Sequence, residues 1–215
     1  MYERQYSLLD QIILRVDEGL GACARPAARI PQRPSPAGSV EEVPLNESDR
    51  HLSQGLMRVN HAGEVSAQAL YQGQAITARN PDIASTLQQS AAEEVDHLAW
   101  CETRIMELGG RTSYLNPLWY LGSFSLGVLA GFAGDRWNLG FVAETEKQVV
   151  EHLHGHLQRL PVNDLKSQAI LGQMAIDEAR HGSIAHDIGG SELPVVIKTA
   201  MRFCSRVMTS TAYWV

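Results

Sequence analysis

Two copies of the motif Glu-x-x-His are the residues of this chain whose types and spacing could bind metal. One runs from Glu94 to His97 and the other from Glu178 to His181. Residues three apart lie on the same face of a helix, so each copy can direct a carboxylate and an imidazole at one point. A single copy is common by chance, and only its repetition makes a metal site a strong hypothesis.

A further glutamate precedes each copy at nearly the same distance. Glu64 lies 30 residues before Glu94, and Glu146 lies 32 residues before Glu178. The chain therefore repeats a unit: a helix with one inward glutamate, a turn, and a helix with Glu-x-x-His. Two such units make a four-helix bundle whose interior receives four carboxylates and two imidazoles. This is the ligand set of di-iron and di-manganese carboxylate bundles.

The donor types favour iron. Four ionised glutamates would neutralise two divalent ions, and oxygen ligands with imidazole suit iron or manganese, whereas a structural zinc prefers cysteine and histidine. The alternative is that these are surface glutamates on amphipathic helices with two satisfied histidines. The second motif is flanked at helical spacing by apolar residues: Met174, Ala175, Ile184 and Ala185. Such positions face a core, where an unpaired charge is costly, so we favour the metal site.

Each motif also carries a candidate supporting carboxylate. A histidine that binds a metal needs a hydrogen-bond partner for its other ring nitrogen. Glu93 and Asp177 directly precede Glu94 and Glu178 at equivalent places in the two units. We expect each to reach the histidine of the opposite helix, and Arg180 to balance charge nearby.

Helical periodicity and helix breakers indicate an all-α chain around these motifs. The breaks fall at Asn80-Pro81, Gly109-Gly110, Pro161 and Gly189-Gly190. No β-type alternation of useful length is present. The predicted helices cover residues 48–79, 81–109, 136–160 and 163–188, with a last short helix at 194–208.

The N-terminal part has a different character. Residues 6–20 carry apolar side chains at a helical period and predict a short amphipathic helix. Residues 25–45 contain five prolines, which exclude a helix and predict an extended linker. We therefore expect an N-terminal helix in residues 1–24, a proline-rich linker in 25–46 and the bundle in 47–215.

Residues 112–134 contain no charged side chain. About 20 apolar residues can span a bilayer, but a single crossing here would place the two halves of the metal site on opposite sides of the membrane. A long crossover between the second and third bundle helices is the better interpretation. Gly127 and Gly131 suit close helix packing, and Trp119 and Tyr120 suit a membrane interface, so we expect this crossover to face lipid. An ordinary buried crossover is the alternative.

The composition excludes several classes of protein. Apolar residues make up 44% and charged residues 20% of the chain, and the net charge is −6, which fits a globular protein without a nucleic-acid surface. The three cysteines form no CxxC pair, so a reducing compartment is expected. The N-terminus lacks the pattern of a secretory signal. These features favour the cytosol or the cytoplasmic face of the membrane.

Together the motifs resemble the demethoxyubiquinone hydroxylases of ubiquinone biosynthesis, in their bacterial form. The resemblance covers about residues 52–208 and takes in the N-terminal helix and the linker. Its motifs are Arg58-Val59-Asn60-His61-Ala62-Gly63-Glu64, Glu93-Glu94-Val95-Asp96-His97, Glu144-Thr145-Glu146 and Asp177-Glu178-Ala179-Arg180-His181-Gly182. It implies a ferritin-like bundle and the same six iron ligands: Glu64, Glu94, His97, Glu146, Glu178 and His181.

The resemblance further implies a membrane-associated di-iron monooxygenase. Such an enzyme uses O₂ to hydroxylate the ring of a demethoxyubiquinol with a polyprenyl tail, at the cytoplasmic face of the cell membrane, alongside other ubiquinone-biosynthesis proteins. His152 matches a supporting histidine that some relatives follow with tyrosine; here Leu153 follows, which leaves any role of that tyrosine unassigned. From the helical pattern, His154 and His156 are expected to be solvated. The electron donor and a homo-oligomeric state stay open.

Two other functions would use similar features. A ferritin-like or rubrerythrin-like iron-handling protein would share the ligands, but it would need no lipid-facing segment, and the CxxC module of a rubrerythrin is missing from the sequence. A non-catalytic lipid-binding scaffold of a biosynthetic complex would use the metal only structurally.

Overall fold

The computed structural model of the chain describes residues 31–215 together with Ser7, Leu9, Asp10, Ile13, Leu14 and Asp17. The predicted N-terminal helix of residues 6–20 and the first part of the predicted linker lie largely outside the described residues. Helices dominate the described part, as the sequence predicts. They are α1 (Glu47–Thr77), α2 (Pro81–Glu107), α3 (Asn116–Phe132), α4 (Asp135–Arg159), α5 (Leu165–Asp187) and α6 (Val195–Ala212).

Local sequence signals set the helix ends. Asn46 caps α1 by accepting a hydrogen bond from the Asp49 N–H at 2.8 Å, and Asp164 caps α5 in the same way. Asn80 caps α2, whose first residue is the proline of the predicted break. Gly109 follows α2 with a φ of 76°, a left-handed conformation in which glycine is favoured.

The four long helices form the predicted bundle in two consecutive pairs. α1 packs against α2, α4 packs against α5, and α1 contacts α4 while α2 contacts α5. Each of the four contributes to two apolar layers. One layer centres on Leu56, Ile105, Leu153 and Leu171, and the other on Tyr71, Leu87, Leu139 and Ala185. The predicted metal-binding residues fall between these layers on every helix, because they lie between the two apolar groups in each helix's sequence.

The uncharged segment forms the crossover helix α3, which lies along the outer side of α1. The two backbones are very close. A Cβ added at Gly127 would collide with the carbonyl oxygen of Leu70, and one added at Gly73 would collide with that of Phe124. The Thr77 hydroxyl donates a hydrogen bond across this contact to the Val128 carbonyl at 3.2 Å. The predicted crossover and its close glycine packing are therefore present. The expectation that Tyr120 lies at a membrane interface was wrong, because Tyr120 is buried against α1 and its hydroxyl donates a hydrogen bond to Gln72 Oε1.

None of the helices in the described ranges combines the length and the hydropathy that a bilayer crossing needs. α3 is 17 residues long, and one side of it is occupied by α1.

The described part of the proline-rich segment, residues 31–46, lies on the bundle. It has no α-helix or strand and contains one 3-10 turn at Pro36–Ser39. Ala37 from this turn is buried in the first apolar layer. Glu42 binds Arg104 of α2, with Nη1–Oε2 at 2.7 Å. This segment therefore has fixed contacts with the helices that follow it.

The α1–α3 contact predicts a difference between two glycines of the same helix. Gly127→Ala should lower the free energy of unfolding by about 1–3 kcal/mol, because the new methyl group overpacks a backbone contact. Gly122→Ala is the matched control: its Cβ would meet nothing within 4 Å, so it should leave stability unchanged or raise it by up to about 1 kcal/mol. Urea unfolding of the two variants tests this, and equal effects would contradict the close contact.

Candidate metal centre

The six predicted ligands occupy one polar layer between the two apolar layers. α1 and α4 each supply one glutamate, and α2 and α5 each supply a glutamate and a histidine one turn apart. All six side chains are buried. Their exposed fractions are Glu64 3%, Glu94 0%, His97 0%, Glu146 1%, Glu178 1% and His181 3%. Buried charges at this density need partners or a cation.

The first group of donors surrounds His97. Ligand atoms of Glu64, Glu94, His97 and Glu178 all lie within 4.8 Å of one another. His97 Nδ1 is 2.9 Å from Glu94 Oε2 and 2.9 Å from Glu178 Oε1. It lies 3.5 Å from Glu64 Oε2. Donor atoms about 2.1 Å from one ion and 90° apart would lie about 3.0 Å from each other, so this spacing fits a metal ion.

The second group surrounds His181. Its Nδ1 is 3.1 Å from Glu178 Oε2 and 3.5 Å from Glu94 Oε1. Glu94 and Glu178 therefore each turn one oxygen toward His97 and the other toward His181. Glu146 lies beside this second group: its Oε1 accepts a hydrogen bond from Tyr71, whose ring packs edge-on against the His181 ring with centroids 6.2 Å apart. The two shared carboxylates thus separate two positions, each with one histidine.

The other ring nitrogen of each histidine is held by a carboxylate from the opposite helix. His97 Nε2 lies 3.0 Å from Asp177 Oδ2, and His181 Nε2 lies 3.0 Å from Glu93 Oε2. A neutral imidazole that donates from Nε2 has no proton on Nδ1. Burial lowers the pKa of His97 and His181, but the neighbouring carboxylates outweigh it and raise both pKa values. Nδ1 of each ring, surrounded by carboxylate oxygens, must therefore carry a proton or face a cation that lies between it and these oxygens. This is the geometry of a histidine prepared to bind a metal.

The pKa shifts of the buried glutamates reflect two effects: burial and the charges of neighbouring groups. Burial, followed by the charge of Glu178, raises the pKa of both Glu94 and Glu146 well above the usual range. For Glu178, burial also acts to raise the pKa, but hydrogen bonds with His181 and His97 outweigh it and lower the pKa to about 2. Ionisation of all the carboxylates at once is therefore unfavourable unless positive charge lies among them.

Unpartnered oxygens complete the fit to a metal. Each of the four glutamates keeps one buried oxygen without a hydrogen-bond partner: Glu64 Oε2, Glu94 Oε1, Glu146 Oε2 and Glu178 Oε1. Buried polar atoms are normally satisfied. A cluster of carboxylate oxygens and imidazole nitrogens left open toward one another could hold metal ions.

Three residues beside this layer were not assigned a supporting role from the sequence: Tyr71, Arg33 and Asp96. The Tyr71 hydroxyl donates a hydrogen bond to Glu146 Oε1 at 2.5 Å. Tyr71 lies seven residues after Glu64, on the same helix face, so the spacing could have indicated it. Arg33 and Asp96 lie next to Asp177, with Arg33 Nη1 2.8 Å from Asp177 Oδ2. Helical periodicity could not have indicated Arg33, because this residue precedes α1 and lies far from Asp177 in the sequence.

The two other residues that the sequence predicted to support the metal ligands, Arg180 and His152, contact different parts of the bundle. Arg180 Nη2 lies 2.5 Å from Glu93 Oε2. His152 packs against His156, with ring centroids 3.9 Å apart, and burial lowers the pKa of His152 to about 4. The expectation that His156 is solvated was wrong. His156 is buried and its Nδ1 lies 2.9 Å from Asn60 Oδ1, because this face of α4 packs against α1.

A solved structure shares the fold. A dodecameric thioferritin, a bacterioferritin-related protein from Bacteroides fragilis, superposes with a TM-score of 0.54 at 16% sequence identity. The match covers 66% of this chain and 90% of that one. At this identity the likeness shows a ferritin-like fold, which confirms the predicted fold class.

Sequence comparison is more specific. The family model described as ubiquinone biosynthesis protein COQ7 matches residues 51–212. Relatives named 3-demethoxyubiquinol 3-hydroxylase match nearly the whole chain. The protein of Nitrosomonas europaea is 55% identical over 207 residues, which are 96% of this chain and 99% of the relative. That of Nitrosospira multiformis is 56% identical with the same coverage, and that of Nitrosococcus oceani is 54% identical over the full length of both chains.

The buried carboxylates predict that divalent metal stabilises the protein. Fe(II) added without oxygen to metal-free protein, at about a hundredfold excess over its dissociation constant, should raise the melting temperature by about 5–10 °C. Glu94→Gln should melt no lower than the metal-free wild type, since it replaces a buried carboxyl group whose ionised form is unfavourable there, but it should lose most of the response to metal. Differential scanning calorimetry measures both effects.

Glu151→Gln is the control for that experiment. Glu151 lies on α4 near Glu146 but is exposed, so this variant should respond to Fe(II) as the wild type does. A full response in Glu94→Gln would contradict the role of Glu94 in holding metal.

Proposed function

Since the chain belongs to the COQ7 family of ubiquinone biosynthesis proteins, we propose that it is a monooxygenase that hydroxylates the ring of a demethoxyubiquinol. The reaction would use O₂ and two iron ions in the polar layer of the bundle. The observation that supports it best is the pair of donor groups around His97 and His181, which share Glu94 and Glu178. Relatives of 54–56% identity bear the corresponding name.

We assign the metal ligands by position. Glu64 and His97 would hold one ion, Glu146 and His181 the other, and Glu94 and Glu178 would be shared between them. Bound iron would supply the redox chemistry that activates O₂, which no side chain of this set can provide. Iron rather than manganese is proposed because the relatives' names describe a hydroxylation.

Residues around the proposed centre orient its ligand side chains and exclude water from it. Asp177 and Glu93 fix the tautomer and orientation of the two histidines through Nε2. Tyr71 holds Glu146 by its hydroxyl, and burial followed by the charge of Glu146 raises the pKa of this phenol well above the usual range, so it stays a proton donor. The apolar layers on both sides exclude water from the reacting atoms.

The substrate class implies contact with a lipid phase. A quinol with a polyprenyl tail resides in the membrane, and the outer face of α3 is apolar and exposed. Its large side chains are Leu118, Leu121, Leu126, Leu129 and Phe132, with exposed fractions between 42% and 64%. Exposed apolar patches of this kind mark interaction surfaces. We propose that this face attaches the protein peripherally to the cytoplasmic face of the cell membrane.

The proposal predicts a defined quinone profile. Cells that lack this protein should accumulate a ubiquinone precursor missing one methoxy group. Wild type and Glu151→Ala should restore the normal profile, whereas Glu178→Ala should not, because it removes a shared ligand. Mass spectrometry of lipid extracts measures the precursor. An unchanged profile in the deletion strain would refute the hydroxylase and favour iron handling or scaffolding.

The apolar face of α3 predicts membrane attachment. The double variant Leu121→Glu with Leu129→Glu should bind phosphatidylethanolamine–phosphatidylglycerol vesicles at least about tenfold more weakly, since each leucine contributes about 1.5–3 kcal/mol when fully buried. Val162→Glu is the control, because Val162 is 85% exposed in the α4–α5 loop. Co-sedimentation measures binding, and equal loss in both variants would contradict attachment through α3.

A further inference from the structure

The two Glu-x-x-His motifs differ at one aligned position. Written with the preceding acid, the first is Glu-Glu-Val-Asp-His, ending at His97, and the second is Asp-Glu-Ala-Arg-His, ending at His181. Arg180 in the second motif therefore corresponds to Asp96 in the first. The first half of the bundle has an acid where the second half has a base.

In the second half, Arg180 completes a chain of three side chains. His181 Nε2 lies 3.0 Å from Glu93 Oε2, and the same oxygen lies 2.5 Å from Arg180 Nη2. The guanidinium thus fixes the carboxylate that orients the histidine. Both members of this ion pair belong to the bundle itself.

In the first half, the same chain is closed by a residue from outside the bundle helices. His97 Nε2 lies 3.0 Å from Asp177 Oδ2, and that oxygen lies 2.8 Å from Arg33 Nη1. Arg33 belongs to the extended, proline-rich segment that precedes α1. Arg33 Nη2 also comes within 3.5 Å of His97 Nε2.

Asp96 anchors this arginine. Its side chain is 3% exposed, and Asp96 Oδ2 accepts a hydrogen bond from Arg33 Nε at 2.8 Å. Asp96 Oδ1 accepts one from the Gln32 backbone N–H at 2.6 Å. The guanidinium carbon of Arg33 lies 4.9 Å from the ring centroid of Trp100, a cation–π distance. Arg33 is therefore held on three sides, and a buried acid is satisfied by the contact.

Both arginines also reach the surface at one place. Arg33 and Arg180 line the same pocket, of about 400 Å³, with Glu93 and Asp96 in its wall. The two chains of contacts thus run inward from a common opening to the two histidines.

From this geometry we propose that Arg33 is a positioning residue of the metal centre, taking for His97 the place that Arg180 takes for His181. The proline-rich segment is then a part of the centre, and one of the two metal positions depends on its docking. The inference rests on the proposed metal pair but not on the hydroxylation.

The physical reason is the orientation of Asp177. Charge-assisted hydrogen bonds from a guanidinium to carboxylates are strong and directional, and Arg33 makes one to Asp96 and one to Asp177. Without Arg33, Asp96 and Asp177 would lose the cation that joins them.

The remaining contacts of Asp177 among the described residues, apart from that with His97, would then be at Oδ1 only. Gln173 Nε2 lies 3.1 Å and Arg180 Nη2 3.9 Å from this atom. Oδ2 would no longer be fixed toward His97 Nε2 from its other side. His97 would then lose its fixed ring orientation. Loss of such a supporting contact lowers metal affinity by about 10–100-fold.

The test is anaerobic Fe(II) titration of the full-length, metal-free protein by calorimetry. The wild type should bind two ions tightly. Arg33→Gln should bind one ion with unchanged affinity and the other about 10–100-fold more weakly, with the same helical circular dichroism before metal is added. Arg50→Gln is the control, because Arg50 is an exposed arginine at the start of α1 and should leave both affinities unchanged.

A rescue variant separates positioning from general damage to the fold. Asp96→Arg, introduced into Arg33→Gln, places an arginine at the position equivalent to Arg180 and removes the acid that Arg33 had satisfied. In this double variant, the ion that Arg33→Gln binds weakly should again bind more tightly, at least in part. If Arg33 had a purely structural role, the binding of that ion would stay weak. Failure of rescue together with loss of helicity in Arg33→Gln would overturn the proposal.

The two proposals fail in different ways. A wild type that binds two ions, with an Arg33→Gln variant that binds both equally tightly, would overturn the role of Arg33 alone. A wild type that binds no Fe(II) would overturn the metal centre and this inference with it. Normal iron binding without any effect on the quinone profile would leave the role of Arg33 standing and refute the hydroxylase.

Discussion

The structure depends on placing four glutamates and two histidines in one buried layer. Such a layer is stable only if every oxygen and nitrogen faces a partner or a cation. The outward-facing atoms have partners: the Nε2 atoms contact Asp177 and Glu93, and Tyr71 binds Glu146. The inward-facing atoms have only one another. This division between satisfied outer contacts and open inner contacts is what supports the proposal of a metal centre over a purely structural polar core.

The repeated helix pair explains how one chain meets this demand. Each pair supplies one glutamate from its first helix and Glu-x-x-His from its second, so the two pairs bring equivalent donors together. A direct turn between the pairs could not align them, and α3 returns the chain along the outer side of α1. The glycines at this contact allow α3 to lie close to α1 without entering the bundle. Its other side is then left for the apolar residues that face outward.

Much of the fold and the donor set could be predicted from the sequence, because both follow from local periodicity. The helix breaks at Asn80-Pro81 and Gly109-Gly110 lie where the structure ends or begins helices, and the spacing of Glu64 and Glu94 already suggested one shared interior. Contacts that join distant segments were not predictable in this way. The proline content predicted a segment without an α-helix before α1, but it did not predict that Arg33 contacts Asp96 and Asp177. His156 was also missed, since a run of alternating histidines does not show which face of a helix meets its neighbour.

The two apolar layers have a consequence for how the protein matures in a cell. Because they pack all four helices above and below the polar layer, the bundle has a core that does not depend on the ions. Small zinc domains differ, since they fold only when metal binds. We expect this chain to fold first and load iron afterwards. Iron supply would then set the fraction of molecules that is active, while the amount of folded protein would follow its synthesis.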